Sequence, residues 1–276
     1  MIKNVIKLLC PDLIAAYHRW QFIKIFKTYK SEKSKYGFKF IGPDQMISGN
    51  FENEEAALII DLAKKVDTFV DVGANIGYYT CLARTFCNHV IAIEPCAENL
   101  KFLYENLVAN HWENVEVLPL GLSDKPGLAN LYGGGTSASL VKRWAGTSEL
   151  VKKTAPLSTL DLILRNRFVG KKSFIKIDVE GEEYNLLRGA EETLAVNPAP
   201  VWLIEICLTE NQPGIINKKF KETFEIFWRN GYKSMVADIS SKEISREDVD
   251  RWVKNQRTDF GNINYLFKKN NPTKAK

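Results

Sequence analysis

With 276 residues, 45% of them hydrophobic, the chain can bury a substantial core, and its length favours one elaborated domain over two. The net charge of +5 sits at one end: residues 1–39 carry nine Lys/Arg against two acids, and the remainder carries 29 against 31. A nearly neutral body argues against nucleic acid as a partner, and five cysteines (Cys10, Cys81, Cys87, Cys96, Cys207) with no C-x-x-C pair argue against a disulfide framework or a thiolate metal site.

Residues 1–46 read as a basic arm and lead-in. Leu13, Tyr17, Trp20 and Ile23 fall at helical spacing among Arg19, Lys24 and Lys27, so a helix is expected, packed on the domain or lying on an anionic membrane surface. Lys7 and Pro11 interrupt its apolar runs, which speaks against a signal peptide or a membrane span, and the unpaired cysteines lead us to expect a cytoplasmic protein, at the inner face of a membrane if the arm docks there. Tyr36–Asn50 suggests a strand-and-turn lead-in, and 51–65 a helix with acids in its first turn. Thr68–Ala74, 90–95 and 115–124 then read as strands, with helices at 78–86 and 97–110 between them, the βαβαβ rhythm of a doubly wound sheet. Lys125–Gly146, with the run Gly133-Gly134-Gly135 beside Ser137 and Ser139, predicts a hairpin and a mobile loop. The pattern resumes with a strand at 174–181, a helix at 182–195, a strand at 201–207 and a helix at 218–231. Last come strands at 234–239 and 263–268, separated by a charged helix near 245–255. The expected domain covers 47–270, and 271–276 form a Lys-rich tail.

In open α/β sheets ligands bind beyond the carboxyl ends of the strands. Here each tip carries a carboxylate: Asp71, Glu94, Asp124, the pair Asp178 and Glu180, and Glu205. The loop DVGANIG spaces Gly73, Asn75 and Gly77 at every second position, which breaks the G-x-G-x-x-G pattern of a dinucleotide site. Asp71 before the loop is unwelcome beside a pyrophosphate and suits a cationic ligand end, such as the sulfonium and ammonium groups of S-adenosylmethionine. Glu94, 23 residues later, is placed to accept hydrogen bonds from ribose hydroxyls.

The segments DVGANIGYYT, IEP, LSD, STLD, FIKIDVEGEEYNLLRGA and NYLF, in this order, resemble the FkbM-type S-adenosylmethionine-dependent methyltransferases, and GNFENE (49–54) matches their lead-in. The resemblance spans Ile47 to Phe267 and leaves the arm uncovered. It implies a Rossmann-like class I methyltransferase sheet, mostly parallel with an antiparallel last strand. It also implies S-adenosylmethionine as cofactor and methyl transfer to a hydroxyl of a sugar, glycolipid or secondary metabolite. By the same resemblance Asp71, Gly73, Asn75, Gly77 and Tyr78 cradle the methionine moiety, Glu94 holds the ribose, and Ser123 or Asp124 sits near the adenine.

A sugar hydroxyl is a weak nucleophile, so a general base helps. Asp178, Glu180 and Glu205 are the candidates, because adjacent strands bring their tips together and crowded carboxylates raise one another's pKa. Metal-free acid–base chemistry is favoured over a divalent cation held by these acids, so no metal ligand is assigned. Glu180 could instead cap the following helix, and Lys176 is expected to pair with one of these acids, Glu205 among them. Trp144, Tyr132 and Tyr184 are candidates for stacking on a sugar ring. A nicotinamide oxidoreductase on the same sheet is the alternative of another class, disfavoured by the broken glycine pattern and by the absence of a Tyr-x-x-x-Lys pair. A non-catalytic membrane-docking protein has no use for a full set of strand-tip carboxylates. Base methylation is disfavoured because Asp178-Val-Glu-Gly stands where an Asn/Asp-Pro-Pro-aromatic motif belongs.

Overall fold

The computed structural model describes residues 28–147, 149, 152–211, 215–238, 240–261 and 263–269. The helix expected in the N-terminal arm and the Lys-rich tail lie outside the described residues. The chain enters through a two-stranded antiparallel ribbon, β1 (Glu32–Lys33) and β2 (Lys39–Phe40), followed by α1 (Asp44–Ser48) and α2 (Asn53–Ala63). The first half of the main sheet is β3 (Thr68–Val72), α3 (Tyr78–Arg84), β4 (His89–Ile93), α4 (Ala97–Ala109) and β5 (Glu116–Leu118). A three-stranded side sheet of β6 (Gly121–Leu122), β7 (Gly127–Tyr132) and β8 (Lys152–Ser158) follows. Then come α5 (Leu160–Leu164), β9 (Ser173–Ile177), α6 (Glu183–Arg188), α7 (Glu191–Ala195) and β10 (Val201–Glu205). The chain closes with α8 (Phe220–Arg229), β11 (Lys233–Val236), β12 (Glu243–Ile244), α9 (Arg246–Asn255) and β13 (Asn264–Lys268).

The eight-stranded sheet has the order β12-β11-β13-β10-β9-β3-β4-β5. Strands β5, β4, β3, β9 and β10 are parallel, and β13 inserts antiparallel between β10 and β11. This is the Rossmann-like, mostly parallel sheet with an antiparallel last strand that the sequence predicts. Every residue of β3 and β9 is buried, as expected of parallel strands covered on both faces. Their alternation splits the core in two: Phe69 and Phe174 face the cluster containing Ile59, Leu82 and Leu103, whereas Val70 and Ile175 face the one containing Leu187, Trp202 and Phe224. Among the described residues no helix is long and apolar enough to cross a membrane.

Two elements differ from the sequence expectation. The third strand, expected as one run over 115–124, stops at Leu118. Pro119 brings no N–H to a ladder, the Leu120 N–H turns back to the Leu118 carbonyl at 2.9 Å, and Gly121–Leu122 joins the side sheet beside β8. The helix expected over 182–195 is two short helices. Gly189 lies against the Ser123 carbonyl, where a Cβ would stand 2.3 Å from the oxygen. The Asp161 carboxylate then starts α7 afresh, accepting from the backbone N–H groups of Glu192 (3.0 Å) and Thr193 (2.8 Å). The charged helix α9 forms as expected, with a capping box between Ser245 and Asp248.

Candidate active site

From β3 the chain winds outward through β4 to β5, then returns to lay β9 and β10 on the other side of β3. The strand order reverses between β3 and β9, and their carboxyl ends open a crevice there. A pocket of about 570 Å³ occupies it, walled by Gly73 and Asn75, by Glu94 and Pro95, by Leu120–Leu122, and by Asp178–Glu180.

The glycine loop is fixed by close packing. Gly73 has φ 81°, and a Cβ there would stand 1.8 Å from the Asp178 carbonyl oxygen, so no other residue lets the β3 and β9 loops meet. Asn75 is also left-handed, at φ 52°, and its N–H donates to Glu94 Oε2 at 2.8 Å. The other oxygen of Glu94 accepts from Cys96 N at 2.7 Å and from Asn99 Nδ2 at 3.3 Å. Burial pushes the Glu94 carboxyl up to about 7 against the pull of these donors. Asn99 also donates to the Gly135 carbonyl at 3.0 Å, tying the loop that roofs the pocket to the glycine loop beneath it.

Asp71 is 1% exposed and lies one layer under the pocket. Its Oδ2 accepts from Thr80 Oγ1 at 2.5 Å, while Oδ1 has no partner, and burial raises its pKa. Gly77 packs on Leu103, and Tyr78 sits in an aromatic cluster with Phe38, Phe40 and Phe51. Ser123 donates to Glu182 Oε1 at 2.8 Å, and Asp124 lies 3.7 Å from Arg188. Of the residues expected to hold a cofactor, Gly73, Asn75 and Glu94 therefore line the pocket, Asp71, Gly77 and Tyr78 support it from below, and Ser123 and Asp124 stand beyond its wall. The wall itself is the apolar run Leu120–Leu122, which the sequence reading took as strand, with Leu131 and Leu140 behind it.

On the other side of the crevice the carboxylates gather. Asp178 and Glu180 line the pocket, and Glu205 stands at the end of neighbouring β10. Burial, followed by the charge of Asp178, pushes Glu180 up to about 7, and burial with Asp178 and Glu180 pushes Glu205 to about 9. Glu183 rises to about 8, again through burial, and it is this residue, accepting from Gly181 N at 2.9 Å, that holds the turn into α6. Glu180 instead serves the loop. Its Oε2 accepts from Trp144 Nε1 at 2.5 Å, and its carbonyl accepts from Ser139 Oγ at 2.6 Å. Glu180 holds the left-handed conformation at φ 55°, a strained placement for a long side chain.

Trp144 is 7% exposed and its ring covers Gly181, so it is a wall of the site and no open platform for a sugar. Tyr132 is likewise buried, and Tyr184 lies under the Lys219 ammonium at 4.6 Å. Beyond Trp144 a second cavity of about 540 Å³ opens, bounded by Gly181, Cys207–Thr209, Asn211 and Ile215–Lys218. Cys207 Sγ donates to Glu205 Oε1 at 3.4 Å, joining this cavity to the acidic tips.

Lys176 pairs with Asp178 at 3.1 Å, as expected for one of these acids, and reaches Glu55 at 3.6 Å; among the ion pairs of the described residues none joins it to Glu205. Sequence reasoning missed Glu55, because an acid in the first turn of a helix reads as an ordinary partner of the helix dipole. Among the described residues no group of three or more His, Cys, Asp or Glu is arranged to hold a metal ion.

The chain is 29% identical over 145 residues to the hexuronic acid methyltransferase AglP of Haloferax volcanii, an alignment that covers 52% of this chain and 58% of that protein. The chain thus spans little more than half the length of this relative. Among solved structures it is similar to the methyltransferase FkbM of Methylobacillus flagellatus (18% identity, 73% of this chain and 43% of that one, TM-score 0.47). It is also similar to a precorrin-6y C5,15-methyltransferase of Geobacter metallireducens (13% identity, 84% and 94%, TM-score 0.44). The model of the methyltransferase FkbM domain matches residues 71–234, more than half of the chain and the stretch that carries the glycine loop, Glu94 and the Asp178–Glu180 tip, and the chain belongs to that family.

Proposed function

We propose that this protein is an S-adenosylmethionine-dependent O-methyltransferase acting on a hydroxyl of a glycan, glycolipid or related metabolite. The observation that carries the reading is the crevice at the β3/β9 switch point, with a ribose-side acid on one flank and raised carboxylates on the other. The residues fit the cofactor. Glu94 is placed for the ribose hydroxyls, Leu120–Leu122 and Leu140 offer an apolar slot for the adenine, and Gly73 lets the glycine loop lie against the Asp178 carbonyl at the edge of the pocket. The buried Asp71 Oδ1 and Asn75 Oδ1 have no partner within the protein, and both suit a cationic methionine end.

When bound, S-adenosylmethionine supplies an electrophilic methyl group on its sulfonium. The protein supplies alignment, exclusion of water and a proton acceptor. Glu180, pushed up to about 7, can take the hydroxyl proton at a carboxylate oxygen when ionised. Trp144 fixes the direction of that carboxylate, and the loop carrying Gly135, Ala138 and Leu140 roofs the pocket against solvent. The second cavity beyond Trp144 offers apolar Ile215 and Ile216 beside polar Asn211, Asn217 and Lys218, a mixture suited to a sugar ring. The relative's name supports a sugar acceptor. Glu180, Asp178 and Glu205 share one buried cation, Lys176, with Glu183 adding a further acid beside Glu180, a setting that favours a neutral hydroxyl over a carboxylate acceptor.

Calorimetric titration of the full-length protein with S-adenosylmethionine and with NAD tests the reading. Binding of the first and none of the second is expected, and the reverse would sink it. Methyl incorporation into neutral glycosides compared with glucuronides then tests the acceptor.

A further inference from the structure

Lys176 stands in the middle of β9, a strand whose every residue is buried, at a position where an apolar side chain would satisfy the core. It is 2% exposed. Burying an ammonium is costly, and replacing buried ion pairs by apolar residues often stabilises a protein. Lys176 is therefore poorly explained as a stabiliser. Its surroundings show what it does. In the sheet it lies directly opposite Asp71, and two residues along its own strand it reaches Asp178 Oδ2 at 3.1 Å. From α2 comes Glu55, 3.6 Å away and held from behind by Asn264 Nδ2 at 2.7 Å. From α3 the Tyr79 ring lies 4.6 Å beneath the ammonium, and the Tyr79 hydroxyl donates to Glu52. Glu180 and Glu205 complete the charges that face it, from the following loop and from β10.

Asp71 and Asp178 are the two acids beneath and beside the glycine loop. Asp71 is enclosed and Asp178 about a third exposed, and carboxylates so placed compete for ionisation, so without a cation the enclosed Asp71 is driven toward its protonated form. We propose that Lys176 is the positioning residue of the donor site: it holds Asp71 and Asp178 as a pair of ionised carboxylates turned toward the cationic methionine end, with Glu55 as its outer counter-ion. With one ammonium facing Asp71, Asp178 and Glu55, the cluster keeps a net negative charge, the complement of a ligand carrying net positive charge. This rests on the cofactor reading above. It adds that selection of the charged donor over its thioether product is set by a side chain that lines no part of the pocket.

The test uses the full chain as wild type, Lys176→Met and Lys176→Arg, with folding checked by circular dichroism. Affinities for S-adenosylmethionine and S-adenosylhomocysteine are measured by calorimetry from pH 6 to pH 9. In the wild type, titration of Glu94 near 7 affects both ligands alike, so the ratio of the two affinities is expected to vary little across this range. In Lys176→Met the remaining pair keeps a proton at neutral pH, and a cationic ligand must displace it. Affinity should then fall about tenfold at pH 7 and climb back as pH rises, by at most about tenfold per pH unit. The loss should be larger for S-adenosylmethionine than for S-adenosylhomocysteine, and Lys176→Arg should restore most of it. Equal, pH-independent losses for both ligands, or no loss in a folded variant, would overturn the proposal. Should Lys176→Met fail to fold, the wild type still decides. Carboxyl carbon shifts of ¹³C-aspartate, assigned with Asp71→Asn and Asp178→Asn, should show both groups ionised at pH 7, and a neutral aspartic acid at either position refutes the charge pair. Failure of the wild type to bind S-adenosylmethionine counts against the cofactor reading, whereas the carboxyl shifts test the charge pair by themselves.

Discussion

The two flanks of the crevice are built in different ways. The Gly73–Glu94 flank is held by backbone: left-handed glycines, a carbonyl in contact across two strands, and N–H groups of Asn75 and Cys96 converging on one carboxylate. The Asp178–Glu205 flank is held by charge, with carboxylates of raised pKa around a buried lysine. Backbone gives a fixed shape, gathered on a single enclosed carboxyl, Glu94, that burial pushes up to about 7. Clustered charge gives groups whose protonation is poised near neutrality, which suits proton transfer. Changes on the first flank should register in folding and donor affinity, and changes at the acids Glu180 and Glu205 of the second in rate and pH dependence.

The sharpest way to break this contrast is Glu180→Gln, which keeps the shape and removes the proton acceptor. Turnover should fall by about 10²–10⁴-fold with donor affinity little changed, read by single-turnover methyl transfer and calorimetry. Next is Gly73→Ala, which forces a Cβ into the Asp178 carbonyl and a side chain into φ 81°. A loss of about 3 kcal/mol or more in chemical unfolding is expected. Glu94→Gln removes the charge that gathers the loop N–H groups and faces the ribose, and should weaken the donor by about 2 kcal/mol, roughly 30-fold. On the charged flank, Trp144→Phe removes the donor that lowers the Glu180 pKa. Activity rises with pH as Glu180 ionises near 7, so the midpoint should move to higher pH while donor affinity stays as it was. Glu205→Gln is read in stability rather than in turnover or donor affinity. A carboxyl raised to about 9 in the fold contributes stability that is complete below its unfolded value and is lost as pH rises through 9. The variant should therefore melt higher than wild type at pH 9 and show little difference at pH 5.

Much of this was legible beforehand. Alternating apolar strands and helical runs announced the sheet, and the carboxylates at its tips announced the site, because tip position follows from where each strand ends. What stayed hidden depends on contacts distant in the chain. Glu55 reads as an ordinary first-turn acid until α2 is laid against β9. Asn99 reads as a neutral helix residue until it is seen between Glu94 and Gly135. Ser123 and Asp124 were read as the tip of a third strand that in fact ends at Leu118, so the register of everything after Pro119 was misplaced.

That proline has a consequence for the size of the cavity. Had β5 run on in register with β4, its residues would have continued the floor of the sheet and closed the gap beside Glu94. With no N–H at Pro119 the chain leaves the main sheet after Leu118, and Leu120–Leu122 form one wall of the crevice beside Glu94. Restoring an N–H there, as in Pro119→Val, invites the strand to lengthen into that space, so one backbone atom helps decide whether the sheet ends in a floor or in a receptacle.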